Sequence, residues 1–223
     1  MRDLVYFVIG GRPEYVQVLE YCLNTLRAYP DNDRFDTLVI CDASYRPSVE
    51  DLPVTFVHVC EPNGGDHVQA SRRKVELFAW PGVARYDRAL YLDCDIVVSG
   101  SLRPVFDAIK HDDTLYVATE RSSRHNERYF ECLDTPYSAA DLEAFERRDV
   151  RPFNAGQFAF SISAAMREHF EAVRARMARG YDDALHFYCR ANVIWDTCFL
   201  PLYEKLTYPL AYLIKNKLKK MLA

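Results

Sequence analysis

The segment Arg88-Ala89-Leu90-Tyr91-Leu92-Asp93-Cys94-Asp95 constrains this chain more than any other. An apolar run of this kind reads as a buried strand, and two carboxylates arrive where it ends. Side chains alternate along extended backbone, so Asp93 and Asp95 are expected to point the same way off the strand's C-terminal end. Ligands of open α/β sheets bind at that edge. Two neighbouring carboxylates repel, and a divalent cation lets both stay ionised. Their hard oxygens suit Mn²⁺ or Mg²⁺, which would in turn grip a diphosphate. The competing reading is plain: Asp-x-Asp also marks an ordinary solvated turn.

The rest of the chain supplies a matching frame. Leu4-Val5-Tyr6-Phe7-Val8-Ile9 is a second buried strand, ended by Gly10-Gly11. Val16, Leu19, Cys22, Leu23 and Leu26 recur at helical spacing over about 13–29, with Pro13 suited to the first turn. Further strands are expected at Thr37–Cys41, Val54–Cys60, Leu115–Ala118 and Phe158–Ile162. Helices are expected at Ser71–Trp80, after Ser138, and over 164–179, 183–205 and 209–222; Ile96–Val98 should continue extended. Strands alternating with helices predict an α/β fold, a mixed but mostly parallel sheet with helices on both faces in the Rossmann-like manner. We expect one domain over 1–208 and a basic amphipathic helix over 209–223.

Composition and missing motifs narrow the chemistry. The 223 residues are 49% hydrophobic and 27% charged with a net charge of −4, which excludes a disordered chain and a nucleic-acid binder held by bulk positive charge. Gly10-Gly11 lacks the GxGxxG spacing, and no P-loop, HExxH or GxSxG occurs. Seven scattered cysteines without a CxxC pair read as reduced core fillers, not a zinc site.

A second motif is Pro152-Phe153-Asn154-Ala155-Gly156. Asn offers donor and acceptor to a sugar hydroxyl, and the small Ala and Gly admit a ligand close to backbone. Alone it would read as a turn opening the next strand. The Asn63–His67 loop, with Asp66 and His67, reads either as a turn or as a border of the same site.

Taken together, these features resemble nucleotide-diphospho-sugar transferases of GT-A fold, particularly glycosyltransferase family 8 and its glycogenin-like members. The resemblance spans roughly 4–180. It rests on Tyr15, on Lys74 within Ser71–Leu77, on Tyr86–Asp95, on Ser101–Phe106 and on Phe153–Gly156. It implies that Asp93 and Asp95, flanking Cys94, bind Mn²⁺ (or Mg²⁺) bridging the donor's phosphates. It implies that Lys74 approaches the donor phosphate or sugar, helped by Arg72 or Arg73, and that Tyr15 and the Gly10-Gly11 loop meet the base. Asn154, Ala155 and Gly156 would line the donor-sugar pocket. The family's Asp-Gln pair and late His-x-x-Gly are lacking here; Asp183 is the first choice for the residue facing the anomeric carbon, and Asp196 the next. His186 is a poor substitute for the missing histidine.

The activity so implied is metal-dependent, retaining transfer of a hexosyl group from a nucleotide-diphosphate sugar, UDP-linked, to a carbohydrate, lipid or protein acceptor. One rival is a nucleotide-sugar-binding protein of the same fold with impaired catalysis. Another is a nucleotidyltransferase, which wants a basic Gly-rich first loop that Gly10-Gly11-Arg12 only faintly echoes. The start shows no signal peptide and no run reaches the roughly 18 apolar residues of a membrane span, so a cytoplasmic location is expected. The 19 residues after Glu204 hold five lysines and no acid, which suits either a solvated helix or peripheral contact with an anionic membrane.

Overall fold

Apolar runs too long for one-sided burial have to be covered on both faces, and the first strand shows how that is done. The computed structural model describes residues 1–60, 72–119, 140, 143, 153–177, 195 and 196. In it Leu4–Ile9 of β1 (Asp3–Ile9) are all buried, at the centre of a seven-stranded sheet of order β3-β2-β1-β4-β6-β5-β7. The other strands are β2 (Asp36–Asp42), β3 (Phe56–Cys60), β4 (Arg88–Leu92), β5 (Leu115–Thr119), β6 (Phe153–Ser161) and β7 (Trp195–Asp196). β1, β2, β3 and β4 pair in parallel, β5 pairs in parallel with β7, and β6 runs antiparallel between β4 and β5. The mixed, mostly parallel α/β sheet is thus as expected.

Alternation along β1 sends its side chains into two cores. Val5, Phe7 and Ile9 face α1 (Tyr15–Arg27), whose Leu19, Cys22, Leu23 and Leu26 are buried, together with Val49 of α2 (Arg46–Glu50) and Phe106 of α3 (Arg103–Asp107). Leu4, Tyr6 and Val8 face Met166, Phe170 and Val173 of α4 (Ala164–Met177) and a run of tight turns carrying Val75, Leu77 and Trp80. Aromatic rings interlock on this second face. Tyr6 meets Tyr91 at 5.1 Å, Tyr91 stacks on Phe158 at 4.9 Å, and Phe160 packs edge-on against Phe170 at 4.8 Å.

Three local expectations are corrected. Ser71–Trp80 is not one helix in its described part; Arg73–Val75 and Leu77–Ala79 form separate 3-10 turns, because the side chains of Arg73 and Lys74 are drawn to different strands. The strand expected at Phe158–Ile162 begins earlier, at Phe153, and takes in Asn154-Ala155-Gly156. They lie inside β6, where the pairing with β5 jumps from Val117↔Phe158 to Ala118↔Asn154 and so bulges at 155–157. Trp195–Asp196, expected in a helix, extend beside β5. The 209–223 helix and the one after Ser138 lie outside the described residues, or almost so. Among the described residues no helix is long and apolar enough to cross a membrane.

Phe158 is fully buried at the meeting point of these rings. Phe158→Ala is expected to destabilise the fold by about 3–5 kcal/mol, measured by urea unfolding.

Candidate functional site

The sheet order places a switch point beside β1. The chain moves from β1 to β2 and β3 on one side, then returns to put β4 on the other. The C-terminal ends of β1 and β4 therefore border a crevice, where open α/β sheets bind ligands. The loop after β1 turns sharply at Gly11, whose φ of 86° is one that side-chain-bearing residues rarely adopt. Gly10 before it is buried, and Tyr15 follows half-buried at the start of α1 against the α1-side core.

At the end of β4, Asp93 leaves the strand and is gripped from several directions. Its N–H donates to the Gly156 carbonyl at 2.7 Å, which ties the motif to the bulge of β6. Its Oδ1 accepts the Tyr91 hydroxyl and pairs with the Lys74 ammonium at 3.0 Å. Lys74 also donates to the Ala155 carbonyl at 3.3 Å and lies 5.2 Å from the centre of the Tyr91 ring. The Lys74 side chain is 17% exposed and that of Asp93 34%, so the lysine is walled in while the carboxylate faces outward.

The two carboxylates do not share an extended strand. Cys94 and Asp95 form a turn, closed by the Ile96 N–H on the Asp93 carbonyl at 3.3 Å, so alternation does not set their directions. They remain neighbours electrostatically. Burial, then Asp95, then Asp93, push the Cys94 thiol up to about 12. Burial also raises Tyr91 well above the usual phenol range, with Asp93 adding to it, and raises Tyr6 by burial alone.

These residues fit a divalent cation shared with a ligand. Asp95 is exposed, Asp93 is partly so, and both offer hard oxygens. Among the described residues no group of three His, Cys, Asp or Glu gathers as a metal cage, so the remaining ligands would be oxygens of the bound molecule or water.

The structure thus brings Lys74, Asp93, Ala155 and Gly156 into direct contact, with Cys94 and Asp95 in the adjoining turn and Gly10, Gly11 and Tyr15 after the neighbouring strand. Asn154 belongs to the same strand bulge by its backbone. Asp196 lies on β7, beyond β6 and β5 from β4, beside Tyr116. Asp66, His67, Asp183 and His186 lie outside the described residues. Two residues that sequence reasoning leaves without a role are Tyr6, whose hydroxyl donates to the Lys74 carbonyl at 2.8 Å, and Tyr91. The one signal for both is a tyrosine inside an otherwise apolar run, since a buried phenol needs a partner.

Comparison with known proteins bears on the family and the fold. A family model described as glycosyl transferase family 8 matches residues 75–206. The structure is similar to the galactosyltransferase LgtC solved in complex with donor and acceptor sugar analogs, with a TM-score of 0.55, 17% identity, and coverage of 82% of this chain and 66% of that one. An active-site mutant of LgtC gives 0.57, 18%, 83% and 69%, and the apo WbbM bifunctional glycosyltransferase gives 0.57, 15%, 87% and 37%. The chain therefore spans under two thirds of the LgtC complex chain and of the WbbM chain. No curated protein sequence matches.

Buried phenols and thiols make stability fall with pH. The unfolded chain releases the Cys94 proton near 9.0 and those of Tyr6 and Tyr91 near 10.0, while the folded chain holds them higher. Their contribution is complete below those values and is lost as pH climbs towards the folded ones. The urea midpoint is expected to drop between about pH 8 and about pH 10.5; an unchanged midpoint would contradict the burial.

Proposed function

The chain belongs to glycosyl transferase family 8 and has the GT-A fold, and from that premise we propose that it transfers a hexosyl group from a nucleotide-diphosphate sugar, UDP-linked, to a hydroxyl acceptor, dependent on Mn²⁺ or Mg²⁺ and with retention at the anomeric carbon. The observation that carries the proposal is the Lys74 ammonium bonded to Asp93 where β4 ends, at the switch point of the sheet. An ammonium fixed beside an outward-facing carboxylate pair suits a diphosphate, which needs positive charge from the protein and from a cation.

In the reaction the bond from the anomeric carbon to the phosphate oxygen breaks, and its electron pair leaves on the diphosphate. The acceptor hydroxyl forms the new bond and gives its proton to the departing diphosphate. Asp93 and Asp95 would hold a divalent cation, which supplies Lewis-acid stabilisation of the departing charge. Lys74 directs two donors to Asp93 and the Ala155 carbonyl and offers a third to a phosphate oxygen. Gly156 and Ala155 let the donor sugar approach the β6 backbone, and Asn154 bonds its hydroxyls. Tyr15 and the Gly10-Gly11 loop receive the base, and Asp183 faces the anomeric carbon.

Asp95→Ala alters an exposed turn residue, so its fold should persist while metal-dependent turnover of a UDP-sugar is lost. Lys74→Ala should lower kcat by about 10²–10³-fold, as removal of a charge-stabilising donor does elsewhere. Both are read by release of nucleoside diphosphate from a panel of nucleotide sugars. Undiminished turnover in Asp95→Ala would overturn the metal role. Binding without turnover in the native chain would favour the catalytically impaired alternative.

A further inference from the structure

The 3-10 turn Arg73–Val75 sends two consecutive cations in opposite directions. The Arg73 guanidinium pairs with Asp42 at the end of β2, whereas Lys74 reaches Asp93 after β4 and the Ala155 carbonyl of β6. Between them, Tyr6 of β1 bonds the Lys74 carbonyl. Since β2, β1, β4 and β6 are adjacent in that order, one turn is fastened across four strands at their shared edge.

The Arg73 and Asp42 side chains are only 5% and 7% exposed. Taking such a pair out of water is costly, and apolar side chains of similar volume hold a fold at least as well. What a buried guanidinium–carboxylate pair adds is a fixed position. Lysine, by contrast, carries a long flexible stem, and its ammonium is aimed only as well as the backbone beneath it is held.

We propose that Arg73 is a positioning residue: its pair with Asp42 anchors the turn so that Lys74 is delivered to Asp93 and the Ala155 carbonyl. The geometry stands on its own, and only its catalytic consequence rests on the function proposed above.

The test labels the full chain with an amine-reactive ester and follows Lys74 by mass spectrometry. Arg73→Ala alone would strand a buried carboxylate, so three other variants are used. Arg73→Met/Asp42→Leu removes both charges, while Arg73→Gln and Asp42→Asn each keep a hydrogen bond in place of the ion pair. In every variant whose circular dichroism is native, Lys74 should label several-fold faster than in the unaltered chain, with other lysines unchanged. A natively folded variant that labels Lys74 at the unaltered rate overturns the proposal. Turnover gives a second readout, in which Arg73→Gln should lower kcat by about tenfold or more, as small displacements of a reacting group do. In a Lys74→Ala background the same change should cost nothing further, whereas an equal loss there would mean that Arg73 acts independently of Lys74. If the native chain turns over no nucleotide sugar, the proposed function fails while the labelling result still judges Arg73.

Discussion

A carboxylate at the end of a buried strand has to be neutralised, and the site is built around how Asp93 is. β4 carries Leu90, Tyr91 and Leu92 through the core and then releases an acid at the sheet edge. Lys74 supplies the charge, Tyr91 a hydroxyl from within the strand, and Gly156 the acceptor for the backbone N–H. Each contact reaches a different part of the chain, so fixing one acid also fixes the turn before β4 and the bulge in β6. The outward side of that carboxylate and the exposed Asp95 are where we propose that a ligand binds.

Elements whose sequence matched their burial were legible. Leu4–Ile9 and Ala89–Leu92 are apolar on both faces because both faces are covered, and α1 shows its buried stripe at helical spacing. Lys74, Asp93 and the Asn154–Gly156 segment, which belong to one family pattern, also meet at one edge, whereas Asp196 lies away from it on β7. Composition misled where tertiary contacts overrode it. Asn154, Ala155 and Gly156 look like turn residues, yet Asn154 pairs with Ala118 of β5 and the Gly156 carbonyl accepts the Asp93 N–H, so all three lie within β6. The 71–80 stretch looks helical, yet Arg73 and Lys74 have partners on strands that no single helical register serves at once.

The Asp93–Asp95 pair illustrates a second limit. Spacing of two is a good guide to side-chain direction only while the backbone stays extended, and here it turns at Cys94. The proposed cation site is compatible with that turn, because proximity, not parallel direction, is what lets two acids share a cation. The buried Arg73–Asp42 pair was beyond sequence reasoning altogether, since its partners are far apart in the chain and one lies at a strand end with no pattern to mark it.

The edge at Lys74, Asp93 and Asp95 is proposed to receive a diphosphate together with a divalent cation. Thermal unfolding of the chain with UDP, GDP, CDP and ADP, each with and without Mn²⁺, tests this most directly, because a ligand of the folded state raises the melting temperature. A rise with UDP that requires Mn²⁺ and disappears in Asp93→Asn is the expected result. No rise with any nucleoside diphosphate, or an Mn²⁺-independent rise that persists in Asp93→Asn, would contradict it.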